Sequence, residues 1–159
     1  MNNLMQNYWP IFQLYQSLRT QLLEILTDED LAYSVGSANV PLGVLLREIG
    51  EVEVAYIASF KTFMLDFSYR NPDPTLEQSV QKLKDWFVEL DQELQTTIEG
   101  LSDEDIQQRM ITRGGNFIVP VQIQLEIYKE ALLIFYGKAS VYAKALGKSL
   151  PHQWQEWIA

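Results

Sequence analysis

Few residue types in this chain can do chemistry, and their placement decides which chemistry is left. The 159 residues include no cysteine and one histidine, His152, which excludes disulfides, thiolate metal sites and a cysteine nucleophile and removes most imidazole chemistry. The remaining candidates are Glu48, Lys138, Arg113, and the tyrosines Tyr128 and Tyr142, which share a seven-residue spacing with Phe135. A carboxylate base beside an ammonium or phenol is a workable acid–base set. A carboxylate cluster of Glu48, Glu126 and Glu130 resembles a di-iron ligand set, but that design needs Glu-x-x-His pairs that a lone histidine cannot supply.

Lys138 is the residue that most needs explaining. It interrupts EALLIFYGKASVY, a stretch apolar on nearly every side, and at 100° per residue it shares a face with Ile127, Ala131, Ile134 and Ala145. If that face is the inward one, the ammonium either snorkels to water at the end of the bundle or meets a carboxylate inside it. Glu48 has two readings as well, a boundary residue reaching solvent or an inward charge in need of a partner. Glu51 and Glu53 read as a solvated face. The stripe of Tyr128, Phe135 and Tyr142 reads first as core, although either hydroxyl can meet a small ligand. Arg113, in TRGGN, reads as a loop arginine facing solvent or holding an anion or a carboxylate. His152 reads as surface.

Four long helices must position these groups. The first spans roughly Trp9 to Leu26, with Ile11, Leu14, Tyr15, Leu18, Leu22 and Ile25 as its apolar stripe. The second starts near Pro41, carries Leu42, Leu45, Ile49, Val52, Tyr56 and Phe63, and ends before NPDP at residues 71–74, where two prolines forbid continuation. Thr75 and Gln78 form a capping-box pattern for the third. Its buried side comprises Leu76, Val80, Leu83, Phe87, Leu90, Leu94 and Ile98, and Gly100 stops it. The fourth runs from Pro120 to Gly147, and a short tail helix from Pro151 carries Trp154 and Trp157. LTDEDL after the first helix echoes LSDEDI after the third, with Thr27 and Ser102 as caps. Two helix–connection–helix halves predict an all-α four-helix bundle with a short C-terminal tail helix, one domain over residues 1–159. The glycines near ITRGGNF mark a turn.

The net charge of −9 opposes binding to nucleic acid or anionic lipid. No basic and apolar leader pattern opens the sequence, and no apolar run reaches bilayer length, so the expected location is the cytoplasm.

GKASVYAKALGKSLP (residues 137–151) resembles the end of the last bundle helix in DinB-like proteins, and LGVLLREIGEVEVAYI (residues 42–57) resembles their second helix. The LSDEDI element is similar to one in the same family, and the three occur in the family's order. The resemblance implies a DinB-like four-helix bundle. It also implies a metal site of three histidines, one on the second helix and two spaced four apart on the last. Carried over, those positions are Glu48, Ala131 and Phe135, and none is histidine. Lys138 stands where the family has glutamine. The resemblance points to metal-dependent transferases and hydrolases, but the departure falls on the ligands themselves, so neither a metal nor another cofactor is expected.

Two functions follow. The first is a non-catalytic, homodimeric ligand-binding or interaction protein using the cleft at Glu48, Lys138, Phe135, Ala131, Tyr128, Tyr142 and Arg113. The alternative is a transferase or hydrolase working in that cleft with Glu48 as base and Lys138 or a tyrosine as partner. A cleft filled by Phe135 favours the first, and an open one with convergent polar groups favours the second. The last helix is apolar on both sides: Ile127, Ala131, Ile134 and Val141 are expected to face the core, so its second side (Leu125, Leu132, Tyr136, Ala139, Ala143) is expected to meet either a second copy or the tail helix.

Overall fold

Apolar residues at helical spacing become four long helices, α2 (Trp9–Glu24), α3 (Leu42–Thr62), α4 (Val80–Glu99) and α6 (Val121–Ala145), in a computed structural model that describes residues 1–158. Three short helices accompany them, α1 (Asn3–Asn7), α5 (Asp103–Gln108) and α7 (His152–Trp157). One antiparallel hairpin pairs β1 (Met110–Thr112) with β2 (Ile118–Pro120), with Ile111 opposite Val119.

Contacts along the helices fix their directions. On α2 and α6, Tyr8 meets Gln122, Phe12 packs on Tyr128, and Tyr15 accepts a hydrogen bond from the Tyr136 hydroxyl, so both run the same way. On α3 and α6, Ser59 meets Gln124 and Tyr56 stacks on Tyr128, so these are antiparallel. Gly50 against Trp86 and Lys61 against Glu93 make α3 and α4 parallel. The order is up-down-down-up, and the parallel α3–α4 pair requires the long crossover at residues 63–79. Neighbours around the bundle are α3 with α4, α3 with α6, α2 with α6 and α2 with α4, which leaves α2 and α3 on a diagonal.

The seven residues expected to form the buried side of α4 are all buried. Several expectations need correction. α3 ends at Thr62, well before the prolines, in a left-handed Phe63 (φ 58°) whose ring lies under the Arg109 guanidinium at 4.1 Å. The following chain then bridges to the hairpin, where Leu65 N–H donates to Thr112 O at 2.8 Å. Thr75 caps no α-helix; a single 3-10 turn intervenes, and Ser79 caps α4. The echo is partial, since Ser102 forms a full capping box with Asp105 whereas LTDEDL folds as a 3-10 turn. On α2, Ile11 and Leu14 are exposed, and Trp9 and Phe12 take the core positions.

The largest correction concerns α6. Its buried side is Leu125, Tyr128, Leu132, Tyr136, Ala139 and Ala143, whereas Ile134 and Val141 are exposed and Lys138 with them. The helix is turned by about half a revolution from the expectation. Its tyrosines favour this rotation, because the Tyr136 and Tyr142 hydroxyls donate to partly buried backbone acceptors at Tyr15 O (2.9 Å) and Val40 O (2.6 Å), which aliphatic Ile134 cannot use. The tail covers this side too: Trp154 packs on Tyr136 (5.4 Å between centroids) and donates to Leu18 O at 2.7 Å.

Among the described residues, no helix is long and apolar enough to cross a membrane.

Candidate functional site

Four residues of α3 separated by one helical turn, Arg47, Glu48, Glu51 and Val52, face the crossover and α6. With Phe67 and Arg70 from the crossover and Phe135 from α6, they line an open cleft of about 380 Å³. That size suits a small organic molecule. The cleft's charges are unequally committed. Glu51 is buried and accepts the Asn71 N–H at 2.9 Å, with Arg47 Nε 3.4 Å and Arg70 Nε 3.8 Å from its carboxylate. Arg47 also pairs with Glu77, and Arg70 donates to the carbonyls of Phe67 (2.7 Å) and Tyr69 (2.5 Å). Glu48 alone has neither a hydrogen-bond nor an ion-pair partner among the described residues, and Phe67, Phe135 and Val52 surround it with apolar wall.

Of the residues proposed from sequence, Glu48 and Phe135 meet in this cleft. Ala131 is half-buried one turn before Phe135 and is not in its lining. Lys138 is exposed, with Nζ 5.4 Å from the Phe135 ring centre, and forms no ion pair with Glu48. Neither reading of an inward lysine applies, because the rotation of α6 puts Lys138 on its exposed side. Tyr128 lies in the core, stacked on Tyr56 at 4.5 Å. Tyr142 is buried by its bond to Val40 O, and its pKa is raised by burial and by the nearby Glu48 carboxylate. Arg113 binds Gln124 Oε1 and the Tyr56 hydroxyl (3.3 Å), tying the hairpin to α3 and α6 away from the cleft. Its reach to the cleft is indirect, because Tyr56 meets Phe67 edge-on at 6.0 Å. His152 is exposed on α7, 3.7 Å from Glu156.

Sequence reasoning missed the bundle's buried charges. Glu51 and Glu53, read as solvated, are 5% and 0% exposed. Arg19 crosses the bundle to Glu53 Oε2 (2.7 Å) and Asp91 Oδ1 (2.6 Å), with its guanidinium 3.9 Å over the Phe87 ring, and Gln16 donates to the same Asp91 oxygen at 2.6 Å. Burial pushes the Glu53 pKa up to about 7, against the attraction of Arg19 and with the help of Asp91. Burial acts to lower the Arg19 pKa, and the two carboxylates together outweigh it. The sequence signal for this network was an arginine inside the apolar run of α2.

Neither a family model nor a curated protein matches the sequence. Among solved structures, a DinB-like protein from Bacillus cereus ATCC 10987 superposes with a TM-score of 0.76 at 16% identity, covering 92% of this chain and 95% of that one. A DinB-like protein from Bacillus subtilis, YjoA, does so with a TM-score of 0.66 at 16% identity, covering 86% and 90%. With the bundle order derived above, these likenesses establish that the chain has the DinB-like fold.

Proposed function

We propose that the chain binds a small organic cation in the Glu48 cleft, without a metal. The observation that carries this reading is a carboxylate left unpartnered in a cleft walled by two phenyl rings. Arg47 and Arg70 are already engaged by Glu51, Glu77 and backbone carbonyls, so the charge still seeking a partner is negative. An ammonium on an apolar body answers both features, the charge to Glu48 and the body to Phe67 and Phe135, whose ring faces also attract cations.

The donor set does not fit the metal that the fold family implies. It offers one uncommitted carboxylate, a second carboxylate engaged by two arginines, and no imidazole or thiolate. Phe135 and Ala131 stand at the carried-over histidine positions and have no donor atoms.

Calorimetric titration with 2-phenylethylammonium and, separately, 3-phenylpropanoate tests the reading. The amine should bind saturably, Glu48→Gln should weaken it tenfold or more, and the carboxylate should not compete. Tighter binding of the carboxylate, or no binding of the amine, overturns the proposal.

The openness of the cleft favours the catalytic alternative, in which Glu48 takes a proton from a bound ammonium and the freed amine attacks an ester carbonyl. The C–O bond breaks as Glu48 returns that proton to the departing alcohol, and the new amide nitrogen loses its second proton to water. Incubating the amine with an activated ester separates the two readings. Under binding alone the wild type and Glu48→Gln acylate it at the same slow rate; under catalysis the wild type is faster.

A further inference from the structure

We propose that α6 is the seam of a two-fold homodimer in which it packs antiparallel against α6 of a second copy, with the axis beside Ile134. The rotation of α6 leaves a second apolar stripe outside the bundle. Ile123, Ile134 and Val141 are 43%, 62% and 52% exposed, and half-buried Ile127 joins them at seven-residue spacing. On a helix these four fall within about 40° of one another, a narrow seam of the kind that meets another helix. Phe117 and Ile118, about half exposed just ahead of α6, extend the surface at one end. Contiguous apolar surface of this length marks an interaction site.

Charge selects the occupant and the direction. Glu130 and Lys138 are both exposed, four residues before and four after Ile134, on opposite flanks of the stripe. In an antiparallel pair centred on Ile134, each Glu130 falls level with Lys138 of the second copy, across the seam. Ile127 then meets Val141, and Ile123 meets Ala145. A parallel pair would instead set Glu130 against Glu130 and Lys138 against Lys138, which is repulsive. Gly137 assists, since a Cβ built there would have no atom within 4 Å; its bare backbone leaves room opposite Ala131 for close helix approach. The stripe is thus complementary to itself in one orientation only. The inference does not depend on the ligand reading, because Phe135 lies about 100° round the helix from Ile134.

The absence of cysteine makes the test clean. Under mild oxidation Ile134→Cys should give a covalent dimer. Ile127→Cys alone should not, whereas an equal mixture of Ile127→Cys and Val141→Cys chains should. By light scattering the wild type should have the mass of two chains at micromolar concentration, and Ile134→Glu the mass of one with unchanged helical circular dichroism. Glu130→Lys should shift the equilibrium toward monomer, and Glu130→Lys with Lys138→Glu should restore the dimer. A wild type monomeric at high micromolar concentration overturns the proposal, as does a dimer that survives Ile134→Glu or an Ile127→Cys chain that links to itself.

Discussion

Arg19 and Glu53 meet across the diagonal of the bundle, Nη1 to Oε2 at 2.7 Å, with 1% and 0% of their side chains exposed. Such a pair adds little over well-packed apolar residues, yet breaking it leaves one charge buried and unpaired. Arg19→Met should therefore destabilise by about 3–5 kcal/mol, read by urea denaturation. Arg19→Met with Glu53→Leu should recover most of that loss, a coupling that a double-mutant cycle isolates. If the two single losses simply add, the residues are not coupled.

The same pair sets a pH dependence. The Glu53 pKa of about 7 in the folded state lies above the ordinary value of 4.5, so the folded state holds this proton more tightly than the unfolded chain does. Its contribution to stability is full below pH 4.5 and is lost as pH rises through about 7. The loss amounts to about 3 kcal/mol at the end of that window. Measured in urea from pH 4.5 to 8, the wild type should fall relative to Glu53→Gln by roughly that amount. A pH-independent difference between the two proteins would mean that Glu53 ionises normally.

How much of this was legible depends on how sharply each residue type votes. On α4 charged and apolar residues alternate faces, and the whole buried side from Leu76 to Ile98 could be read directly. On α6 both sides are apolar, so periodicity locates the helix but not its rotation, which depends on contacts made by Tyr128, Tyr136 and Tyr142 with distant parts of the chain. Glu53 was misread because its burial depends on Arg19, a partner 34 residues away on another helix. Glu48 and Phe135 were found through the family resemblance. Phe67 and Arg70 were not, because the crossover that delivers them has no periodic pattern.

Close approach of α3 to the chain beside it depends on two glycines seven residues apart. A Cβ on Gly43 would lie 1.9 Å from the Glu77 carbonyl oxygen, and one on Gly50 would lie 2.3 Å from the Trp86 ring. Alanine is the better helix former, so at an open helical site the change would stabilise. Here overpacking should reverse the sign, costing about 1–3 kcal/mol at Gly43, where backbone blocks the space. Gly50→Ala should cost less, because half-buried Trp86 is a side chain and can shift. Thermal unfolding of the two variants checks both the sign and the order. A Gly43→Ala protein as stable as the wild type would show that the approach is looser than described.

Glu48 and Phe135 line one cleft, which makes the metal question testable in both directions. The wild type presents a single uncommitted carboxylate there and should retain no stoichiometric transition metal after brief chelator treatment. Histidines at positions 131 and 135 would lie one helical turn apart, a spacing that lets two imidazoles bind one ion. Ala131 is half-buried and Phe135 already faces Glu48, so Ala131→His with Phe135→His would assemble two imidazoles and a carboxylate. Elemental analysis should find zinc or nickel near one per chain in the double variant, and Glu48→Gln added to it should weaken retention. The single variant Phe135→His should hold metal only weakly, because two ligands leave most of the coordination shell to water. If the untagged wild type itself keeps one metal per chain, the donor set has been misjudged and the metal-free reading of the cleft fails.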